Sequence, residues 1–339
     1  MRRDGTIVCF GEVLLRLAAP GAEMLLQTPN FRATLAGAEA NVAVSLARLG
    51  HATAMVTTLP DNAIGQAARD ELRRHGVDTR AVALVPGRMG LYFLSPGGGM
   101  RPSQVIYDRA GSAFAVSPAD AVDWPSALQG AGWLHVSGIT PAVGPGPAAS
   151  ALTTVKAARA AGLTVSFDCN YRPTLWRGRE AQAPAVLAGL LAEADVVFGD
   201  HRDIGLVLGR SFPGEGDAPR AAAAQAAFET WPNLSLMAST RRVQHSLDHH
   251  DLCGFLYARD GAWSTRTIAV TAIVDRIGAG DAFAAGLIHG LRRGAPGQGA
   301  IDFALAAAAL KHTVPGDFNL VTEAEIDALV AGEDLGVRR

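Results

Sequence analysis

The residue types best suited to chemistry are concentrated in Asp275-Arg276-Ile277-Gly278-Ala279-Gly280-Asp281. Phe283, Leu287, Ile288 and Leu291 follow at helical spacing, so the stretch reads as a tight turn feeding a helix N-terminus. Small residues let backbone come close to a ligand, and the first N–H groups of a helix lack partners within it. Such an end attracts anions such as phosphate. Asp281 places a carboxylate where an incoming hydroxyl would meet that phosphate. An isolated G-A-G-D is better read as a helix cap. The rest of the chain shifts the weight toward chemistry.

The chain has 339 residues, enough for one large α/β domain or two smaller ones. Hydrophobic residues make up 49% and charged residues 18%, the balance of a soluble globular protein. A net charge of -2 argues against broad nucleic-acid binding and gives no sign of a membrane surface. Cys9, Cys169 and Cys253 are odd in number and far apart, so they read as free thiols in a reducing compartment. Arg2 and Arg3 precede an apolar run that Glu12 breaks, which is neither a secretory signal nor a membrane span. A cytoplasmic protein is expected.

The elements that would position the turn come next. Ile7 to Phe10 is a continuous apolar run, as in a buried parallel strand. Residues 13 to 34 are mixed and turn-rich. Small residues then precede a helical pattern through Val42, Leu46 and Leu49, with Asn41 early in it and Gly50 as the stop. Strands are expected at Thr53 to Thr58, Trp133 to Val136, Thr164 to Asp168, Asp195 to Phe198, Leu234 to Ser239, Leu252 to Tyr257 and Thr265 to Val270. Helices are expected at Asn62 to His75, Pro147 to Ala161, Glu180 to Glu193, Ala279 to Leu291, Gln298 to His312 and Glu323 to Val330, and the alanine-rich piece near Ala221 also reads as helix. This alternation implies a mostly parallel sheet covered on both faces. From Val82 to Val116 the pattern turns to short strands, which implies a small β lid built from inserts at about 13–34 and 85–116 on a single 1–339 domain. Ligands of such sheets sit beyond the carboxyl ends of the strands, where Gly37, Asp168 and the Gly278 to Asp281 turn would meet.

With these residues in view, the chain resembles a ribokinase-like (pfkB) carbohydrate kinase over nearly its whole length. One signature is Ala36-Gly37-Ala38-Glu39-Ala40-Asn41-Val42-Ala43; the other is D-T-x-G-A-G-D, here Asp275 to Asp281 with Arg276 in place of threonine. Within the family it is most similar to the 2-keto-3-deoxygluconate kinases. Tyr107 to Ala113, Phe167 to Pro173 and Lys311 to Asp317 carry that likeness. The resemblance implies a doubly wound α/β core, a β lid and ATP-dependent phosphorylation of a sugar hydroxyl. It makes Asp281 the base and Gly278, Ala279 and Gly280 the anion hole. It places Gly37 and Asn41 at the sugar. It implies Mg²⁺ as a cofactor, a K⁺ loop beside Asp275, no nucleic-acid or membrane partner, and a homodimer formed through the lid. Phosphoryl transfer needs positioning and neutralised charge more than covalent help, so these residue types suit it.

A 2-keto-3-deoxy aldonate has a carboxylate that a neutral sugar lacks. Arg109 and Arg172 would bind it through planar, charge-assisted hydrogen bonds, with Tyr92 and Tyr107 offering hydroxyls. Alone, each arginine would be a surface ion pair and each tyrosine lid packing. Two departures stand out. The family's N-x-x-E motif for Mg²⁺ water is replaced by Asp200-His201-Arg202-Asp203, leaving Asp200 and Asp203 as the metal candidates. The K-x-G-x-x-G nucleotide segment is replaced by Ser239-Thr240-Arg241-Arg242, where Ser239 and Arg241 would meet the nucleotide alongside Gly278 and Gly280. No G-x-x-x-x-G-K-[ST] is present, and His201-Arg202-Asp203 lacks the asparagine of a protein-kinase loop, Leu208 standing there instead. His245, His249 and Cys253 recur every four residues, which would suit a metal on a helix. Their surroundings read as strands with no evident fourth ligand, so the trio is set aside. Rivals to the sugar-acid kinase are a kinase of a neutral ketose or nucleoside, and a sugar-binding sensor without catalysis.

Overall fold

The computed structural model describes residue 1 and residues 4–333. Arg2 and Arg3 lie outside them. An eleven-stranded sheet forms the centre of the described residues. From one edge it runs Ala262–Ser264, His249–Ala258, Leu236–Gln244, Val196–Phe198, Thr164–Asp168, Ala131–Ser137, Thr6–Phe10, Thr53–Pro60, Val77–Asp78. Ile268–Thr271 pairs with His249–Ala258, and Val82–Val85 with Thr53–Pro60. Every neighbouring pair from Val77–Asp78 across to Leu236–Gln244 is parallel, and the His249–Ala258 edge is antiparallel. The chain starts mid-sheet, builds one side, then returns to build the other. The order therefore reverses between Thr6–Phe10 and Ala131–Ser137, a doubly wound arrangement. Ala131–Ser137 is buried at every position, as expected of a strand covered on both faces.

A second sheet of four strands has the order Arg32–Ala36, Leu14–Ala18, Gly90–Ser95, Gln104–Asp108. Leu14–Ala18 and Arg32–Ala36 come from the segment that read as turn-rich. Leu14–Ala18 alternates buried and half-buried positions, the period of a one-sided strand. Leu14, Ala18, Ala36, Tyr92 and Leu94 form a small core against Ile277, so this sheet rests directly on the Asp275 to Asp281 turn.

Helix Ala279–Arg293 carries that turn. It packs on Gly297–Lys311 and on Ala38–Arg48. A Cβ at Gly286 would stand 2.8 Å from the Ala304 Cα, so glycine permits the close helix contact. The expected strand at Thr265 to Val270 is split into Ala262–Ser264 and Ile268–Thr271, and Glu180 to Glu193 into a 3₁₀ turn at Glu180–Gln182 and helix Ala183–Leu191. A helix at His201–Leu208 was not expected. Asp200 and Asp203 form a reciprocal capping box that starts it. None of the described helices is long and apolar enough to cross a membrane.

Candidate active site

A groove of about 1480 Å³ opens between the carboxyl ends of the parallel strands and the four-stranded sheet. Gly37, Asn41, Tyr92, Tyr107, Arg109, Arg172, Asp200, Asp203, Ser239, Arg241, Asp275 and the Gly278 to Asp281 turn all line it. The residues singled out in the sequence are thus brought together, although several are arranged otherwise than expected.

Two helix N-termini meet at the floor. Gly278 begins Ala279–Arg293 with φ 84° and no side chain capping the end; a Cβ there would lie 2.1 Å from the Asp317 carbonyl oxygen. Gly37 begins Ala38–Arg48 with φ 147°, also without a side-chain cap, and its Cβ would lie 2.4 Å from the Glu12 carbonyl oxygen. Only glycine fits either place. The two ends are joined by Asn41, whose Nδ2 donates to Asp281 Oδ2 at 2.6 Å. Asn41 Oδ1 is buried without a partner among the described residues. Asp281 is not the cap of its own helix, since it stands in the first turn behind Gly278.

Asp281 is one of three acids drawn together here, with Asp168 and Asp203. Desolvation at the groove floor raises Asp281 to about 7, against the Asn41 hydrogen bond, and the Asp317 charge adds to it. Desolvation and the charge of Asp281 push Asp168 well above the usual carboxylate range. Asp203 is raised to about 6, chiefly by burial, although it accepts the Asp200 N–H at 2.8 Å. Arg172 is exposed in the groove, and its positive charge opposes the rise at all three acids. Asp168, Asp203 and Asp281 offer oxygen donors of the kind that a divalent ion such as Mg²⁺ takes, but their oxygens do not close to within 4.8 Å of one another, so they fit an ion held partly through water.

Several expectations need correction. Asp200 does not present a free carboxylate. Its Oδ1 accepts the Arg202 N–H at 2.7 Å, and its Oδ2 the Arg202 side chain at 2.6 Å, because it caps the helix behind it. Asp275 is no open cation ligand either. Its Oδ1 accepts the Ile277 N–H at 3.1 Å, while its Oδ2 accepts the Gly316 N–H at 3.0 Å and lies 2.6 Å from Arg16 Nη1. The Tyr92 hydroxyl donates to both oxygens of Asp317, at 2.7 and 2.9 Å, so its proton is taken and it can only accept from a sugar hydroxyl. Arg109 is already half of a buried pair: its Nε donates to Glu12 Oε2 at 2.6 Å, and Ser112 Oγ donates to Glu12 Oε1 at 2.5 Å. Its Nη atoms take no part in that pair. Tyr107 is exposed at the groove edge, its ring 6.3 Å from that of Tyr92. On the nucleotide side, Ser239 Oγ is buried and unpartnered among the described residues, and Arg241 stands 3.7 Å from Asp217 and over the Phe255 ring.

The sequence did not point to the layer beneath. Arg16 sits at 7% exposure on the inward face of a strand, bonded to Asp275 and Asp317. Lys311 is fully buried, its Nζ donating to the carbonyls of Val314 at 2.9 Å and Asp275 at 3.4 Å. Glu39 Oε1 accepts from the Ser137 N–H at 2.9 Å and Thr140 Oγ1 at 2.6 Å, tying the Ala38–Arg48 helix to a strand end. A charged residue inside an alternating apolar strand, as at Arg16, is the sequence signal that would have found this layer.

The family model for pfkB family carbohydrate kinases matches residues 4–323. A 2-dehydro-3-deoxygalactonokinase of Haloferax volcanii is 35% identical over 98% of this chain and 99% of its own. A 2-dehydro-3-deoxygluconokinase of Bacillus subtilis is 32% identical over 92% of this chain and 91% of its own. The solved structure of a 2-dehydro-3-deoxygluconokinase from Thermotoga maritima superimposes with a TM-score of 0.92, at 38% identity, covering 97% of this chain and 100% of that one.

The raised carboxyl has a measurable consequence. An acid whose pKa is higher folded than unfolded favours the native state below the unfolded value, near 4, and loses that contribution as pH rises through the folded value, about 7 here. Asp281→Asn removes the charge with little change of shape. Thermal unfolding should therefore show the variant more stable than the wild type at pH 8, with the gap closing toward pH 5.5. A gap that is constant or widens in acid would mean that Asp281 does not titrate near 7.

Proposed function

The chain belongs to the pfkB family of carbohydrate kinases, and on that premise we propose that it transfers the γ-phosphoryl group of ATP to 2-keto-3-deoxygluconate, giving the 6-phosphate and ADP. The observation that carries this reading is the uncapped helix N-terminus at Gly278 with Asp281 beside it, held by Asn41 from a second uncapped helix. The N–H groups of the first turn face the oxygens of the transferring group. The sugar hydroxyl attacks phosphorus, its proton passes to Asp281, and the bond to the ADP oxygen breaks. A base poised near neutrality suits this step, and a positioned base is worth about 10²–10⁴-fold. Asp168 and Asp203 are the residues that would hold Mg²⁺, with Asp200 behind them as a helix cap. When bound, Mg²⁺ supplies neutralisation of charge on the phosphate oxygens. The uncapped turn at Gly37 can offer backbone N–H groups to a sugar hydroxyl, and Asn41 Oδ1 can accept from one. Ser239 and Arg241 flank the nucleotide. The outward strand Gln104–Asp108, exposed along its whole length with Val105 and Ile106, is where the expected homodimer contact belongs in this reading.

Arg172, exposed in the groove beside the three acids, is assigned to the substrate carboxylate, with the Nη edge of Arg109 as its partner. The relatives are named for sugar acids of both gluco and galacto configuration. ATP consumption should therefore be measured with both epimers and with neutral ketoses. Arg172→Met should lower kcat/KM on the preferred acid by roughly tenfold or more, since a hydrogen bond to a charged group contributes about 1.5–3 kcal/mol. Activity on a neutral ketose should fall much less; an equal fall on both would remove the carboxylate assignment. Arg109→Met should also destabilise the fold, because it strands Glu12 without its buried partner.

Lys311 accounts for the expected K⁺ loop in a different way. Peptide carbonyls are the natural ligands of K⁺, and here a tethered ammonium occupies such carbonyls under the turn. Burial lowers its pKa, while the charges of Asp275, Asp317 and Asp281 oppose that fall. Turnover of the wild type should be the same in K⁺, Na⁺ and choline salts. Lys311→Met should lose turnover and regain part of it in K⁺ or NH₄⁺. A wild type that requires K⁺ would overturn this assignment.

A further inference from the structure

The hairpin that carries Ser239 and Arg241 has a second group of polar side chains at its tip. Strands Leu236–Gln244 and His249–Ala258 are antiparallel, with Gln244 opposite His250. The His245 N–H donates to the His249 carbonyl at 3.0 Å, so His245 and His249 face each other across the turn. Side chains alternate along a strand, which puts His249 and Asp251 on one face. His250 points to the other, where it is fully buried near the His312 ring. On the shared face His245 Nε2 lies 2.8 Å from Asp251 Oδ2, His249 Nε2 lies 3.9 Å from Asp251 Oδ1, and the two imidazole rings are 4.7 Å apart. One donor atom from each residue falls within 4.8 Å of the others, a grouping of His, Cys, Asp or Glu found nowhere else among the described residues. Cys253, which the four-residue spacing grouped with the histidines, is buried and turns its thiol to the Thr265 carbonyl at 3.4 Å.

We propose that His245, His249 and Asp251 bind a divalent transition-metal ion of the Zn²⁺ type, separately from the catalytic groove. Two imidazole nitrogens and a carboxylate suit Zn²⁺, Co²⁺ or Ni²⁺, whereas Mg²⁺ prefers an octahedron of oxygens. Ligand bonds of about 2.0–2.1 Å in a tetrahedron put donor atoms roughly 3.3 Å apart, a spacing that the observed 2.8 and 3.9 Å bracket. Two of the three ligands are pre-positioned, because their strand is hydrogen-bonded on both sides: Asp251 lies between Val243 and Ala269, and His249 is paired with Thr271. The remaining coordination position opens to water. Ser246, Leu247 and Asp248, which connect the ligands, line the groove, so the ion would fix the loop at its mouth.

The test uses the full chain, freed of metal with a chelator and titrated with Zn²⁺ by calorimetry. Co²⁺ absorption serves as an independent report of imidazole ligation. One Zn²⁺ per chain is expected in the wild type. His245→Gln, at an exposed turn position, and His249→Gln should each weaken binding by roughly tenfold or more while circular dichroism and Mg²⁺-supported kinase turnover stay unchanged. A wild type that takes up no stoichiometric Zn²⁺, or His245→Gln and His249→Gln variants that bind it as the wild type does, would overturn the proposal. Loss of kinase activity on sugar acids would leave this result untouched, so the two readings fail separately.

Discussion

A carboxylate set at the floor of a groove, with one neutral hydrogen-bond donor and two other acids for neighbours, is an unfavourable arrangement that the rest of the fold has to sustain. Desolvation and like charges both disfavour the ionised form of Asp281. The unmet N–H groups of its own helix favour it. The 2.6 Å contact from Asn41 is the side-chain link that fixes where the carboxyl stands. Because Asn41 and Asp281 are far apart in sequence, that contact exists only if Ala38–Arg48 and Ala279–Arg293 are packed in register.

The turn before Asp281 is held from beneath by charge. Arg16 reaches Asp275 and Asp317, Tyr92 donates to Asp317, and Lys311 fills the space between the Asp275 and Val314 carbonyls. Buried charges of this kind are tolerable only when paired and hydrogen-bonded. Here they are, and the network reaches from the four-stranded sheet through the turn to Lys311 at the end of helix Gly297–Lys311. Arg16 and Tyr92 belong to the small sheet, so movement of that sheet over a substrate would be felt directly at the Gly278 turn. The groups that look dispensable to chemistry therefore set the geometry of those that perform it.

Much of this was legible in the sequence. The Gly278–Asp281 turn, the Gly37–Asn41 turn and the alternation of strands and helices each follow from local patterns, because a helix N-terminus and a buried parallel strand leave strong short-range signals, whereas Arg172 stood out only through family resemblance. The missing parts are those fixed over long range. Residues 13–34 read as a mixed, turn-rich lid insert with no strand placed at Leu14–Ala18, because that strand is stabilised by pairing with the distant Gly90–Ser95. Tyr92 and Arg109 carried polar groups that suited a sugar. Asp317 and Glu12, distant in sequence, already occupy the Tyr92 hydroxyl and the Arg109 Nε. Asp200 was taken for a metal ligand by its place in a motif, whereas its spacing from Asp203 is equally that of a capping box, which the structure selects.

The central claim is that Asp281 accepts the proton of the attacking hydroxyl. Single-turnover phosphoryl transfer from ATP to 2-keto-3-deoxygluconate, compared in wild type and Asp281→Asn with nucleotide affinity measured alongside, tests it most directly. The account predicts a chemical step slowed by about 10²–10⁴-fold with nucleotide binding retained. A variant that transfers the phosphoryl group at close to the wild-type rate would contradict it.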